Sequence, residues 1–217
     1  MPLGFLRRGK KDERPATAPA PTSRVRTAVP FDGLTEEWRL VGFMEIEGRL
    51  SDALNRREDI PLSDVSWAPV DGSAGFSPVP GLQKADPYDL VAVLANDQTL
   101  PQLTEAEKAA FKVHKVAYDV ALEAPPFRIL GTVYLYPGSE PERLLDRSTE
   151  LFVPVIDAVA FHRDRPVGDP DVSVILVNRS YIRNVRQVDR HTVAAARAQL
   201  RPAGDGEPLI GDERAKD

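Results

Sequence analysis

The amino-acid sequence predicts a mainly β protein with a few short helices, arranged as two tandem small β-barrel or rolled-sheet modules related by internal duplication. Two observations carry this prediction. The longest apolar stretches have the length and composition of strands, and four sequence blocks recur in the same order in two parts of the chain. With 42% apolar and 28% charged residues, the 217-residue chain has the composition of a folded, globular protein.

The repeat begins with a nine-residue block. Residues 38–46 align with residues 127–135 without a gap, and both start with an aromatic residue, Arg, two aliphatic residues and Gly. A shared Arg-Leu-x-Asp motif follows at 49–52 and at 143–146, after a connection that is longer in the second copy. Loops tolerate insertions better than strands do, so the longer connection predicts a loop between these blocks.

Two further blocks complete the repeat. Residues 60–65 and 153–158 share an apolar-Pro-apolar-x-Asp-apolar pattern, and residues 89–100 and 171–182 share an initial Asp, an Asn and a final aliphatic residue. The last pair contains near-continuous apolar runs that end at the Asn, as in a buried strand followed by a turn. Both asparagines are predicted to enter tight turns, where Asn tolerates left-handed backbone dihedrals.

Short helices are predicted between and after the strands. The spacing of leucines at 49–57 and 141–147 predicts one helical turn in each copy. Thr104 and Glu107 form a capping box that opens an Ala/Lys/Glu-rich run, and the Ala-rich segment 191–200 contains strong helix formers. Each longer helix follows a copy of the repeat, so the first is predicted to connect the two modules.

Composition divides the chain into four regions. Residues 1–24 form a basic, Pro/Ala-rich tail and residues 202–217 a polar one; both bury too little apolar surface to fold and are predicted to be disordered. The first β-module with its connector helix is assigned to residues 25–113. The second, with a C-terminal helix, is assigned to residues 114–201.

Motifs for catalysis or cofactor binding are missing from the sequence. The chain has no cysteine, and His114, His162 and His191 have no partner at a metal-ligand spacing. Neither a G-x-S-x-G nucleophile elbow nor a phosphate-binding glycine loop occurs. We therefore predict no enzymatic activity, no cofactor and no metal site. The lack of a signal-like leader and of an apolar stretch of about 18 residues predicts a cytoplasmic protein.

Six aspartates recur between the copies: Asp52, Asp64 and Asp89 in the first, and Asp146, Asp157 and Asp171 in the second. Paired carboxylates divide acid and base roles in glycosidases, so an enzyme that uses Asp52 or Asp146 is a third hypothesis for the function. Recurrence in both modules favours a structural role instead, in which each carboxylate caps backbone N–H groups at a strand end or a helix start.

The segment Leu50–Asn55, followed by the apolar-Pro-apolar residues 60–62, resembles the first sequence motif of the Sm family, in which Asp and Asn follow an aliphatic strand. Sm proteins are small β-barrels that use this loop to bind RNA bases in the pore of a ring. The resemblance implies a barrel fold and RNA contact through this loop. The tandem layout of the motifs also resembles small bacterial β-domains of unknown function, a resemblance that implies no activity.

Charge is distributed unevenly along the chain. Residues 1–28 contain seven basic and two acidic residues, whereas residues 29–103 contain five basic and thirteen acidic residues. An acidic module repels phosphates, so nucleic acid is disfavoured as a partner. Two basic groups remain as candidate partner-binding sites: Arg7, Arg8, Lys10 and Lys11 near the N-terminus, and Arg179, Arg183, Arg186 and Arg190 near the C-terminus.

A duplicated fold without catalytic motifs favours a non-enzymatic protein-interaction or scaffold protein. We expect a protein partner or self-association, in which the acidic first module of one molecule meets the Arg-rich end of another. The alternative is RNA or anionic-membrane binding through the basic N-terminal tail and the segment 179–201. Leu3, Phe5 and Leu6 would then support a peripheral membrane contact.

Deletion of residues 1–24 separates these two hypotheses. If the tail carries the alternative function, the deletion removes binding to RNA, measured by electrophoretic mobility shift, or to anionic liposomes, measured by co-sedimentation. A full-length protein that binds neither RNA nor liposomes contradicts the alternative.

Overall fold

A computed structural model describes residues 27–96, 99, 115–146 and 150–200. The tails predicted at 1–24 and 202–217, and the connector helix predicted from Thr104, lie outside the described residues. We refer to residues 27–96 as the N-terminal half and to residues 115–200 as the C-terminal half.

The described residues form mainly β-structure with short helices, as predicted. The strands of the N-terminal half are β1 (Thr27–Leu34), β2 (Trp38–Ile46), β3 (Ile60–Pro69), β4 (Ser77–Pro78), β5 (Lys84–Ala85) and β6 (Ala92–Ala95). Those of the C-terminal half are β7 (Val116–Ala124), β8 (Phe127–Leu135), β9 (Phe152–His162), β10 (Arg165–Val167), β11 (Val174–Asn178) and β12 (Asn184–Gln187). The helices are α1 (Leu50–Asn55), α2 (Arg190–Ala198) and two 3-10 helices, Pro87–Asp89 and Pro141–Leu145. None of these helices is long and apolar enough to cross a bilayer.

Antiparallel pairing joins both halves into one sheet, in the order β12-β7-β8-β9-β11-β6-β1-β2-β3-β4, with β10 beside β9 and β5 beside β3. The order has two ends, so the sheet is open and the prediction of closed barrels is wrong. The reason lies in β6, which pairs with β1 on one side and with β11 of the other half on its second side. Hydrogen bonds that would close a barrel within one half are therefore made between the halves.

β6 and β11 lie between two hydrophobic cores. Every residue of both strands is buried, and successive side chains point to opposite faces of the sheet. Leu94 belongs to the same core as Leu122 and Ile129 of the C-terminal half, whereas its neighbour Val93 belongs to the core that contains Phe31 and Met44 of the N-terminal half. Because burial of one such side chain contributes about 1.5–3 kcal/mol, the near-continuous apolar sequence of these strands stabilises both halves at once.

Two asparagine side chains, one from each half, form further hydrogen bonds across the junction of β6 with β11. Asn178, which is fully buried at the end of β11, donates hydrogen bonds from Nδ2 to the carbonyl oxygens of Pro87 and Leu90 at 3.2 and 2.9 Å. Asn55, at the end of α1, accepts a hydrogen bond from the Phe152 N–H at 2.8 Å and donates one to the Phe152 carbonyl oxygen at 3.2 Å. Each half therefore supplies one amide side chain that satisfies backbone groups of the other half.

The turn predicted after β11 is present, but its backbone differs from the prediction. Asn178 Oδ1 accepts a hydrogen bond from the Ser180 N–H at 2.9 Å, which closes an Asx turn. Neither Asn178 nor Asn96 is left-handed. The described non-glycine residues with positive φ are Arg57, Asp64, Asp157 and Arg163.

Helix caps come from aspartates other than the recurring ones. Asp189 accepts a hydrogen bond from the Thr192 N–H at 2.9 Å at the start of α2, and Asp86 accepts one from the Tyr88 N–H at 2.8 Å at the first 3-10 helix. Helix α1 has no side-chain cap, although Asp52 lies in its first turn. The capping role predicted for Asp52 is therefore not observed.

The strands β6 and β11, which align in the sequence, pair differently. β6 pairs with the first strand of its half, β1, whereas β11 pairs with the third strand of its half, β9. The position beside β7 is taken by β12. Both halves contain a three-strand meander, β1-β2-β3 or β7-β8-β9, and they differ in the strands that flank it.

Replacement of Asn178 by Ala is expected to lower the free energy of unfolding by about 2–3 kcal/mol, because buried backbone groups lose their hydrogen-bond partners. Urea denaturation measures this change. The control is Asn184→Ala on the exposed face of β12, for which we expect a change within about 0.5 kcal/mol. Similar losses in the two variants would contradict the role of Asn178 at the junction.

Candidate functional site

A groove of about 780 Å³ runs beside β3 in the N-terminal half, and we call it the β3 groove. Its floor is formed by residues 62–66 in the middle of β3. One wall contains Phe43 and Glu45 of β2, and the other is the loop formed by residues 78–83.

The groove exists because the outer edge of β3 is paired with strands only near its two ends, by β5 and by β4. Between them, single backbone hydrogen bonds hold the loop. The Val79 N–H donates to the Val65 carbonyl oxygen, and the Leu62 N–H donates to the Gln83 carbonyl oxygen, both at 2.8 Å. Two prolines in the loop have no N–H to donate, so the loop cannot continue as a regular strand along β3.

A β-bulge lies in the floor of the groove. The register of β2 against β3 shifts between Val41 and Phe43, and Asp64 has a φ of 51°. Gly42 permits the close approach of the strands, because a Cβ at this position would lie 2.7 Å from the Ser63 carbonyl oxygen. Bulges re-aim the side chains around them. Here Phe43 is 45% exposed in the groove wall.

The C-terminal half contains a bulge with the same features. The register of β8 against β9 shifts between Leu130 and Thr132, and Asp157 also has a φ of 51°. Helix α2 covers this face of the sheet through Ala196, which packs in a cluster with Leu130. Arg197 of the same helix donates from Nη1 to Asp157 Oδ1 at 2.5 Å. A helix and an ion pair therefore occupy this bulge.

The bulge of the N-terminal half has no such cover among the residues that the structure describes. Helix α1 packs against β9, and α2 packs against β7, β8 and β9. Phe43 is largely exposed, and no described residue donates a hydrogen bond to the exposed Asp64 carboxylate. The Phe43 ring and the Asp64 carboxylate therefore both line the groove. In the C-terminal half, the corresponding bulge residue Asp157 is bound by Arg197.

The surroundings of the β3 groove are acidic. Its charged lining residues are Glu45 and Asp64, and no basic residue lines it. An adjoining pocket shares Glu45 and is lined by four charged residues more: Glu47, Arg56, Glu58 and Asp59. Lys84 pairs with Asp59 at the surface. Over residues 27–96 the sequence has twelve acidic and five basic residues, so a cationic ligand is favoured at this end of the sheet.

Arg39 in β2 does not neutralise the groove, because another carboxylate binds it. Its Nε and Nη2 donate to Asp32 Oδ1 and Oδ2 at 2.9 and 2.6 Å. Burial acts to lower the pKa of Arg39, but the hydrogen bonds and charge of Asp32, with a contribution from Asp169, hold that pKa above its ordinary value. Arg39 is thus a structural cation within the N-terminal half.

The predicted C-terminal arginines separate into two environments. Three arginines are exposed: Arg183 directly before β12, Arg186 within it and Arg190 at the start of α2. We call them the arginine surface. Arg179 is half-buried in the turn after β11, where its Nη1 donates to the Asp146 carbonyl oxygen at 2.8 Å. Burial lowers the pKa of Arg179, against the opposing effect of Glu150 and Asp146. Arg179 therefore belongs to the fold rather than to the arginine surface.

The other predicted basic group, Arg7, Arg8, Lys10 and Lys11, lies outside the described residues. Phe43 and the 78–83 loop were not predicted from the sequence as parts of a site. A signal was present in the aligned repeat, where Phe43 corresponds to Thr132. A large aromatic residue in place of Thr on an outward-facing strand position is typical of a binding surface.

Within the described ranges, no group of three or more His, Asp or Glu residues is placed to hold a metal ion. No protein-family model, curated protein or solved structure matches the chain. The resemblance to Sm proteins stays a prediction, and the residues Leu50–Asn55 that carry it form helix α1.

Replacement of Asp157 by Asn is expected to lower the free energy of unfolding by less than about 1 kcal/mol, because the pair with Arg197 is largely exposed and is screened by salt. The loss should disappear at high ionic strength in thermal denaturation. Asp64→Asn is the matched control, since Asn tolerates the same positive φ. It should leave stability unchanged, and an equal, salt-sensitive loss would show that Asp64 is also paired.

Proposed function

We propose that this chain is a non-enzymatic protein-interaction or scaffold protein that self-associates head to tail, with the β3 groove of one molecule receiving the arginine surface of another. The observation that carries the proposal is the opposite charge of the two surfaces. The charged residues that line the groove are Glu45 and Asp64, and the arginine surface has three exposed arginines, with the exposed acids Glu123 and Asp189 beside it.

The position of the two surfaces supports an assembly between molecules. β12 is one end of the strand order and β4 the other, with eight strands between them. An interface between two different surfaces of identical molecules is heterologous, so it leaves one free groove and one free arginine surface at the ends of each assembly. Such a contact extends unless its rotation closes a ring.

We also infer that the two halves arose by duplication of one β unit. Both meanders have a glycine at the register shift, Gly42 or Gly131, and an aspartate with φ of 51° in the bulge, Asp64 or Asp157. A Cβ at either glycine would lie within 2.8 Å of a backbone oxygen on the next strand. These shared backbone features support the interpretation of the aligned sequence blocks as a repeat. The pairing of β6 with β11 is then a contact between two related units.

The alternative of RNA or anionic-membrane binding uses the same three arginines together with the N-terminal tail. It makes no use of the acidic groove. Substitutions in the groove therefore distinguish the two functions, because they weaken self-association and do not weaken binding to a polyanion.

Combined substitution of Arg183→Glu and Arg186→Glu is expected to abolish self-association, because like charges would then face the groove. The measurement is sedimentation velocity over a range of protein concentrations at low ionic strength. Wild-type protein should sediment faster as its concentration rises and revert to a monomer at about 1 M NaCl, where the Debye length is about 3 Å.

Lys115→Glu, which reverses an exposed charge outside the arginine surface, is the control and should associate like wild type. Addition of Glu45→Lys to the double variant should restore part of the association, because it places a cation in the groove opposite the introduced glutamates. A wild-type protein that stays monomeric at low salt and high concentration would exclude the proposal.

A further inference from the structure

We propose that the β3 groove is the docking site of the chain's own N-terminal segment, residues 1–26, in the same molecule. The docking itself needs only the groove. Its consequence rests on the proposed function, because a docked segment competes with the arginine surface of a second copy and so regulates assembly.

The N-terminal segment joins the described chain next to the groove. Thr27, the first residue of β1, is paired with Ile46 of β2, and the same strand supplies Phe43 and Glu45 to the groove wall. Three residues of strand separate Ile46 from Phe43, which is about 10 Å at about 3.3 Å per residue. A random-coil chain of 26 residues has a root-mean-square span of about 28 Å, so a segment of this length can reach the groove.

Charge favours this occupant. Residues 1–26 contain seven basic and two acidic residues, whereas the charged residues that line the groove, Glu45 and Asp64, are both acidic. The aspartates in the two bulges also differ in whether a cation binds them. Asp157 binds Arg197, whereas Asp64 has no cation partner among the described residues. A basic segment supplies the cation that α2 supplies to the other half.

The groove also offers apolar surface to the segment. Phe43 is 45% exposed, and Val79 and Leu82 line the opposite wall. The segment contains Leu3 and Phe5 a few residues before its basic cluster, so apolar and cationic side chains occur together. Burial at about 25 cal/mol per Å² favours the contact of such side chains with the groove wall.

Because the N-terminal segment is covalently attached to the chain, a weak contact with the groove is sufficient to keep it docked. A short flexible connection gives an effective concentration on the order of 1 mM. A contact with a dissociation constant of about 0.1 mM would then be about 90% occupied within one molecule. Docking at this occupancy would raise the apparent dissociation constant for a second copy about tenfold. Assembly then shifts to higher protein concentration and is favoured by release of the segment, for example onto an anionic surface.

The test is paramagnetic broadening of amide signals in the full-length protein. The chain has no cysteine, so Gly9→Cys gives a single site for a nitroxide label within the basic cluster. We expect loss of the amide signals of Phe43, Ser63 and Leu82 in ¹⁵N-labelled protein that carries the nitroxide. The signals should return at about 1 M NaCl, where the charges are screened.

Glu45→Gln combined with Asp64→Asn should restore the groove signals, and both changes preserve side-chain size. Glu140→Gln combined with Glu142→Gln, at the 3-10 helix of the C-terminal half, is the matched control and should leave the broadening in place. Retention of the groove signals in the labelled wild-type protein, or equal broadening in the two double variants, overturns the inference. A mixture of ¹⁵N-labelled protein without nitroxide and unlabelled protein with nitroxide reports contacts between molecules, and groove broadening confined to that mixture also overturns it.

Docking of the segment and head-to-tail assembly can be tested separately. Groove broadening in a protein that sediments as a monomer at every concentration would support docking of the segment and exclude head-to-tail assembly. Association without intramolecular broadening would give the opposite result.

Discussion

The pairing of β6 with β11 is the constraint on which the rest of the structure depends. Each strand is buried on both faces, so alternate side chains belong to different cores, and the backbone hydrogen bonds between the strands join the halves. Neither core is complete without strands of the other half. Asn55 and Asn178 secure the same junction with amide hydrogen bonds to backbone groups across it. An open sheet results because the edges that would close each half are used to join them.

The open sheet also explains where a binding surface is left. At the end opposite to β12, strand β3 has only two-residue strands beside it, and a proline-containing loop spans the gap. The bulge at Asp64 then directs a carboxylate and an aromatic ring toward the groove. In the C-terminal half the same kind of bulge is covered by α2 and paired with Arg197. The bulge aspartate is therefore bound by a helix arginine in the C-terminal half, whereas the bulge aspartate of the N-terminal half is exposed in the groove.

The strands within the aligned blocks and most of the short helices could be predicted from the sequence, because these depend on local composition and spacing. Strands β1, β7 and β12 lie outside the aligned blocks and were not predicted. Gly42 and Gly131 were aligned with each other, but neither was linked to a bulge. It could not identify the partner of β11. The apolar runs of β6 and β11 carry no sequence signal that selects β9 and β6 as neighbours over a barrel closure. Asn178 was interpreted as a turn residue, which its bond to Ser180 supports, but its bonds to Pro87 and Leu90 arise from residues about 90 positions away. The groove could not be predicted from the sequence, because it lies where the middle of β3 has no regular strand partner on its outer edge.

The sharing of β6 between the cores has a consequence for how the protein loses its structure. Removal of β6 from either core exposes apolar side chains in both, so the halves cannot melt one after the other as separate domains do. The molecule gains the cooperativity of a single folding unit. A cut in the chain between the halves would yield fragments that are each short of a buried strand and that regain structure mainly by recombining.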